Sequence, residues 1–220
     1  MRDYQIGSSN NNDLCWDCSQ NDFGNYLSEY NGNIYNGYHP GEDWSLPSEK
    51  DNGLRIYSIG IGKVVAIQNL DELGYLIVIE HEGNFNIPSK EINSNGKIAT
   101  YEGEIVNKIY SVYLHLTLAK VNGKDLKVGD KVDENTIIGY IINPGGGSHL
   151  HFEIRKNNDN HDKSWSLIGD KSNWQIFPDD GYNGYYKDLQ KMIDAGLRDP
   201  SEFIDTNSNI IDMIKKIQEN

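Results

Sequence analysis

Residues 62–80 read GKVVAIQNLDELGYLIVIE, and this stretch indicates the fold class. It contains two short runs rich in β-branched residues, each opening at a glycine, Gly62 or Gly74, with a polar turn between them. β-branched and aromatic residues favour strands, whereas glycine and polar residues favour turns. The short spacing between the runs favours antiparallel strands over strands that are joined by helical crossovers.

Three further runs of the same character lie outside this stretch, at residues 56–60, 109–116 and 136–142. Side chains alternate between the two faces of a strand, so Tyr113 and His115 are predicted to share one face. The sequence therefore predicts a mainly β protein with an antiparallel sheet or β-barrel-like core.

Two long segments interrupt the strand pattern. Residues 82–104 and 156–197 have few regular apolar runs, and we expect loop insertions there. In the second segment, four residues at helical spacing ahead of Gly196 predict a peripheral helix: Tyr185, Leu189, Met192 and Ile193. Another helix is predicted near the C-terminus, with Ser208 as its N-cap and an apolar stripe formed by Ile210, Ile211, Ile214 and Ile217.

Composition fits an ordinary folded protein with one sizeable domain. The chain has 220 residues, of which 37% are hydrophobic, and no apolar run is long enough to span a membrane. Its net charge of -13 argues against nucleic acids and anionic membranes as partners. We expect a polar N-terminal segment over residues 1–30, a main domain over 31–205 and a C-terminal helix over 206–220.

The only two cysteines, Cys15 and Cys18, form a single closely spaced pair. Such a pair is only half of a structural zinc site, so a local disulfide and two free thiols remain the alternatives. A disulfide would agree with an exported protein. The first residues lack the apolar stretch of a secretory signal, so the chain is either retained in the cell or seen here without its leader.

Four of the six histidines fall in three short clusters, which contain His39 with Asp43, His115, and His149 with His151. Each cluster alone is more often structural or exposed than functional. Together, they supply two imidazoles and a carboxylate for a tetrahedral zinc with one open position, and two more imidazoles for proton transfer. The joint pattern predicts a metallopeptidase.

The last cluster, Ser148-His149-Leu150-His151-Phe152-Glu153, has strand periodicity. Both histidines can face one cleft, because residues i and i+2 of a strand point to the same side. Leu150 and Phe152 then enter the core. Glu153 either orients a histidine ring or is a surface charge.

The remaining histidines, His81 and His161, have polar neighbours, and both are expected to be exposed and without function. Tyr35 and Tyr38 lie near the first cluster. Either hydroxyl could assist a transition state, although packing is the favoured interpretation.

In this order, the three clusters resemble the M23 family of zinc metallopeptidases, the lysostaphin-like or LytM-domain cell-wall endopeptidases. The resemblance covers about residues 38–155 and the Asp-Pro segment at 199–204. It implies a LytM-type core with long loop insertions and one or two peripheral helices. It also implies one zinc ion per chain, with the metal ligands His39, Asp43 and His151 and the catalytic pair His115 and His149.

The resemblance further implies a zinc-dependent endopeptidase that hydrolyses stem peptides or cross-bridges of bacterial peptidoglycan with a metal-activated water. The expected substrate is peptidoglycan or a glycine-rich peptide, and the expected location is extracellular, periplasmic or in the cell wall. Because the two insertions would frame the site, the bond that is cleaved does not carry over from the family.

Two alternatives belong to other functional classes. One is a non-enzymatic LytM-type regulator that binds and activates another cell-wall hydrolase. The other is a lipoyl- or biotinyl-like carrier, suggested by Gly129-Asp130-Lys131-Val132 followed by Gly139. Residues 140–149 contain no acceptor lysine, which argues against the carrier.

Overall fold

The core of the fold is a nine-stranded antiparallel sheet. The structure, a computed structural model, describes residues 22–30, 33–45, 50–121, 123–145, 147–156 and 185–208. The prediction of a mainly β, antiparallel fold is confirmed. Within the part of the chain that the structure describes, no helix has the length and hydrophobicity needed to cross a membrane.

The described strands are, in chain order, β1 (Tyr26–Tyr30), β2 (Asn33–Tyr38), β3 (Glu42–Trp44), β4 (Arg55–Tyr57), β5 (Gly62–Asn69), β6 (Tyr75–Ile87), β7 (Lys90–Ser94), β8 (Lys97–Tyr101), β9 (Glu104–Leu118), β10 (Lys120–Val121), β11 (Lys124–Asp125), β12 (Lys131–Val132), β13 (Ile137–Ile141), β14 (Leu150–Lys156) and β15 (Leu197–Arg198). A 3₁₀ turn covers Asp71–Leu73, and helix α1 covers Leu189–Asp194. Residues 200–208 form a second helix.

Strand β9 organises the large sheet. The strands follow the order β12-β5-β6-β9-β13-β4, and β14 pairs with β9, β3 and β15. Each of these pairings is antiparallel. β9 therefore contacts β6 on one side and β14 and β13 on the other, which brings the predicted histidine clusters on β9 and β14 onto neighbouring strands.

Both faces of the central strands are buried. Ile77 and Ile79 of β6 and Phe152 of β14 belong to the main core. The opposite face carries a smaller apolar cluster, which contains Ala66, Leu70, Leu76, Val78, Tyr110, Val112 and Leu114. Burial on both faces explains the continuous apolar run at residues 75–79, which does not alternate with polar residues.

The prediction of loop over residues 82–104 is wrong for much of this segment. β6 continues to Ile87, and β7 and β8 form a hairpin. Its turn is Asn95-Gly96, with φ of 50° and 70°, a pair that fits a tight hairpin turn with left-handed backbone at both positions. The alternate residues Ile92, Ala99 and Tyr101 pack into the main core, which stabilises the hairpin.

The predicted peripheral helix is present as α1, but Tyr185 lies ahead of its first residue and is not part of it. Leu189, Met192 and Ile193 are buried on one side of it, and Asp188 caps its first turn by accepting a hydrogen bond from the Lys191 amide. Gly196 follows the end of the helix and has φ of 92°. Glycine is favoured at this position because it adopts the left-handed conformation without steric cost.

The prediction that Ser208 is a helix N-cap is wrong, because residues 200–208 are already helical. Asp199 caps the helix of residues 200–208, because its Oδ1 accepts a hydrogen bond of 2.8 Å from the Glu202 amide. Proline suits the position after a cap, so Asp199-Pro200 is the sequence signal for the start of this helix. Ser208 lies within this helix. The predicted stripe of four isoleucines lies outside the described residues, as do Cys15, Cys18 and His161.

The expectation that His81 is exposed is also wrong, because only 2% of this residue is accessible. Its Nε2 lies 2.7 Å from Ser111 Oγ and its Nδ1 lies 2.8 Å from the Ile61 carbonyl oxygen. His81 follows Ile77 and Ile79 at strand spacing, and β6 continues past it. It therefore faces the core although both of its neighbours in sequence are acidic.

Burial makes His81 a source of acid sensitivity. It lowers the pKa of the ring to about 4 from 6.5. The unfolded chain binds a proton between these values and the folded chain does not, so stability is complete above about pH 6.5 and declines as the pH falls. Between about pH 7.5 and pH 4, His81 should lower the free energy of unfolding by about 3 kcal/mol. We expect this pH-dependent decrease to be missing in His81→Gln.

Urea denaturation of both proteins, without metal and at both pH values, measures this difference. An equal pH dependence in the two proteins would contradict it.

Candidate metal centre and catalytic site

The three candidate metal ligands converge on one point. His39 Nε2 lies 3.0 Å from His151 Nδ1 and 3.3 Å from Asp43 Oδ1, and the last two atoms lie 2.9 Å apart. Donor atoms around a tetrahedral zinc are about 3.3 Å apart, since zinc bonds to nitrogen and oxygen are about 2.0 to 2.1 Å long. The donor set and its spacing therefore fit a zinc ion.

Sheet register positions two of these ligands. Asp43 of β3 and His151 of β14 are direct cross-strand partners, so their side chains are neighbours on one face. Gly41 allows the preceding loop to approach β14, because a Cβ there would lie 2.8 Å from Glu153 Cγ and would also collide with the Phe152 carbonyl. A glycine between the two ligands of the first motif is thus a packing requirement.

His39 follows the end of β2. Its amide donates to the Asn25 carbonyl and its carbonyl accepts from the Gly24 amide, at 2.9 and 2.8 Å. Its buried Nδ1 has no hydrogen-bond partner among the described residues. Tyr185 lies against the ring, with centroids 5.2 Å apart.

Tyr185 is a site residue that sequence reasoning missed, since it was assigned to a helix face. Of the two tyrosines that were considered, Tyr38 is buried and packs edge-on against Tyr26. The side chain of Tyr35 lies outside the described part.

The other nitrogen of His151 contacts a buried carboxylate. His151 Nε2 lies 2.9 Å from Glu153 Oε1, and Glu153 Oε2 accepts a hydrogen bond of 2.6 Å from Arg155 Nε. Of the two alternatives for Glu153, the structure supports the one that orients a ring, because the residue is almost completely buried. Such carboxylate–histidine pairs are common behind metal-ligating histidines.

His149 and His115 form a second pair beside these ligands. Their ring centroids are 4.5 Å apart in an edge-to-face arrangement. His149 Nδ1 lies 3.1 Å from the Gly147 carbonyl oxygen, and His115 Nδ1 lies 3.0 Å from the Leu73 carbonyl oxygen. A carbonyl only accepts, so each Nδ1 carries a hydrogen, and Nε2 of each neutral ring has a free lone pair. Both rings can therefore accept a hydrogen bond at Nε2.

A β-bulge aims His115 at the site. Between the pairs Ile77↔Tyr113 and Tyr75↔Leu116, β9 has two residues where β6 has one. His115 has φ of 66°, a left-handed conformation that is uncommon outside glycine. Bulges redirect side chains in this way and occur often beside active sites.

The prediction that Tyr113 and His115 share a face is therefore wrong. Tyr113 packs on Phe152 in the main core, whereas His115 meets the rings of His149 and His151. The regular alternation of β9 ends at the bulge.

The charges of the site follow from these contacts. Burial raises the pKa of Asp43, but His39 and His151 outweigh it and hold this pKa well below its usual range. Burial and the neighbouring His149 lower the pKa of His115 to about 3. The carboxylate is thus ionised near pH 7, the state that a metal ligand requires, and His115 is neutral and can accept a hydrogen bond.

Buried polar contacts also fix the ends of the site. Ser148, the residue before His149, donates a hydrogen bond from its hydroxyl to the Asp51 carboxylate. Ser148 and Asp51 are both buried. Glu42 accepts a hydrogen bond of 2.7 Å from the Ser201 hydroxyl, which connects the start of β3 to the helix of residues 200–208. The Asp-Pro segment is thereby attached to the strand that carries Asp43.

Residues 89–163 match the family model of peptidase family M23. The resemblance that the motifs indicate is thus confirmed. The matched segment contains His115, His149 and His151, whereas His39 and Asp43 lie before it. No curated protein sequence matches the chain.

Solved structures of similar proteins include LytU, with 26% identity, a TM-score of 0.40, and coverage of 70% of this chain and 81% of LytU. The catalytic domain of lysostaphin from Staphylococcus simulans has 24% identity and a TM-score of 0.36, covering 62% of this chain and 78% of that domain. A zinc-containing peptidase from Vibrio cholerae has 23% identity and a TM-score of 0.38, covering 62% of this chain and 32% of the peptidase.

Proposed function

From the match to peptidase family M23, we propose that this chain is a zinc-dependent endopeptidase of bacterial peptidoglycan. The observation that carries the proposal is the convergence of His39 Nε2, Asp43 Oδ1 and His151 Nδ1, with mutual separations of 2.9 to 3.3 Å. These residues would hold the zinc ion, one per chain. A zinc ion at such a site polarises a peptide carbonyl and lowers the pKa of water to about 7.

The two remaining histidines of the site act on the attacking water. His149 Nε2 lies 3.9 Å from Asp43 Oδ1, and 22% of the side chain is exposed, so solvent and substrate can reach it. We assign it the role of general base, which accepts a proton from the attacking water. His115 lies against it, and the lone pair on Nε2 of this neutral ring can accept a hydrogen bond that orients the attacking water.

The proposed substrates are stem peptides or cross-bridges of peptidoglycan, or glycine-rich peptides, and the proposed location is outside the cell, in the periplasm or in the cell wall. The net charge of -13 disfavours attraction to anionic polymers, so recognition depends on the peptide contacts. A complete set of candidate ligands argues against a regulator that has lost its metal.

The experiment is digestion of purified muropeptides of defined cross-link by the zinc-loaded protein, with sequencing of the products. We expect cleavage of a peptide bond, loss of cleavage with a chelator, and recovery when about one zinc per chain is restored. Heat-denatured protein in the same buffer is the control. Undiminished cleavage after the metal has been removed, or zinc-loaded protein that cleaves none of the muropeptides, would contradict the proposal.

A further inference from the structure

One face of β14 carries a row of three buried polar side chains. His151, Glu153 and Arg155 occur at alternate positions, so their side chains share a face. Glu153 and Arg155 are each only 1% exposed. Glu153 Oε1 faces His151 Nε2 at 2.9 Å, while its Oε2 contacts Arg155 Nε at 2.6 Å and Arg155 Nη2 at 2.5 Å.

The donors and acceptors of this row decide which nitrogen of His151 keeps a hydrogen when a metal binds. A guanidinium group has five donors and no acceptor, and an ionised carboxylate has only acceptors. His151 Nε2 therefore carries the hydrogen that it shares with Glu153. The same argument places a hydrogen on Nδ1 in the metal-free protein, because Asp43 Oδ1 lies 2.9 Å from it and His39 Nε2 lies 3.0 Å from it. When a metal takes the place of that hydrogen, the ring becomes neutral and its remaining hydrogen stays on Nε2, towards Glu153.

We propose that Arg155 and Glu153 are positioning residues that set the tautomer of His151 and thereby the affinity for metal. This inference rests on the proposed function, because a tautomer matters here only if Nδ1 binds a metal. A histidine ligand must present a lone pair, and ligands in the wrong tautomer must first move a proton.

The role of Arg155 makes a specific prediction for Glu153→Gln. Arg155 requires an acceptor, so the new amide directs its oxygen towards the guanidinium and its NH₂ group towards His151. His151 Nε2 must then accept, which moves the hydrogen to Nδ1. We expect the affinity for zinc to fall about 10- to 100-fold.

A second substitution should reverse this loss. In Glu153→Gln with Arg155→Met, no cation selects the amide orientation, so the amide oxygen can accept from His151 Nε2 again. We expect its zinc affinity to lie within about tenfold of wild type. The double variant removes both buried charges together, a change that proteins tolerate better than the loss of one partner.

Glu104→Gln is the matched control. Glu104 accepts a hydrogen bond of 2.8 Å from Lys156, the last residue of β14, and does not contact His151. The same chemical change there should leave the affinity unchanged. A general effect of losing a carboxylate on this sheet would appear in both single variants.

The measurement is zinc affinity by chelator competition on the full chain, with circular dichroism to verify folding. Weaker binding by Glu153→Gln and recovery in the double variant support the inference. Wild-type affinity in Glu153→Gln, or a double variant more than tenfold weaker than wild type, would overturn it. A wild-type chain that binds no zinc would instead contradict the proposed function, and with it this inference.

Discussion

His151→Ala abolishes zinc binding and hydrolysis together, if His151 is one of only three protein ligands. Its Nδ1 lies within 3.0 Å of donor atoms of both other candidate ligands. Without the His151 ring, only His39 and Asp43 remain to bind the metal. A metal ion contributes several kcal/mol to transition-state stabilisation, so we expect turnover to fall at least about 1,000-fold.

Metal analysis of the purified variant and peptide hydrolysis are the two measurements. Asp43→Asn serves as a second ligand variant of nearly unchanged shape, and it should lose metal as well. Glu104→Gln is the control and should retain both zinc and activity. Full zinc content in His151→Ala would remove this residue from the proposed ligand set.

His149→Ala should differ from His151→Ala in its metal content: we expect it to retain zinc and to lose turnover. The His149 ring lies beside the ligand triangle, and its Nε2 is 3.9 Å from the Asp43 oxygen that faces the metal position. General base catalysis contributes about 100- to 10,000-fold, and we expect a loss in this range.

His115→Asn is the companion variant, chosen because residue 115 has φ of 66°. Asparagine tolerates this left-handed backbone better than alanine does, so the bulge should survive while the ring is lost. We expect zinc to remain and turnover to fall. Zinc loss in His149→Ala equal to that in His151→Ala would make His149 a fourth ligand, and unchanged turnover would exclude it as the base.

The regular parts of the fold were predictable because their signals are local. β-branched runs between glycines identified β5, β6 and β13. Period-two spacing correctly placed Leu150 and Phe152 in the core and His149 and His151 on the other side. The Asn95-Gly96 turn was visible in the sequence as well, but the polar residues around it concealed a hairpin that buries only Ile92, Ala99 and Tyr101.

The remaining features depend on contacts between distant segments. The bulge at His115 results from the register between β6 and β9, which spacing within β9 alone does not reveal. His81 is buried because β6 continues to Ile87 against β9, despite acidic neighbours in sequence. Tyr185 reaches His39 from a distant part of the chain, and no local pattern indicates this contact.

The most direct test of the metal centre is a crystal structure of the zinc-loaded protein with anomalous diffraction recorded at the zinc edge. We predict one strong anomalous peak per chain, about 2.0 to 2.2 Å from His39 Nε2, Asp43 Oδ1 and His151 Nδ1, with no fourth protein donor. A peak elsewhere, or a fourth protein side chain bound to the ion, would contradict an open zinc site at this position.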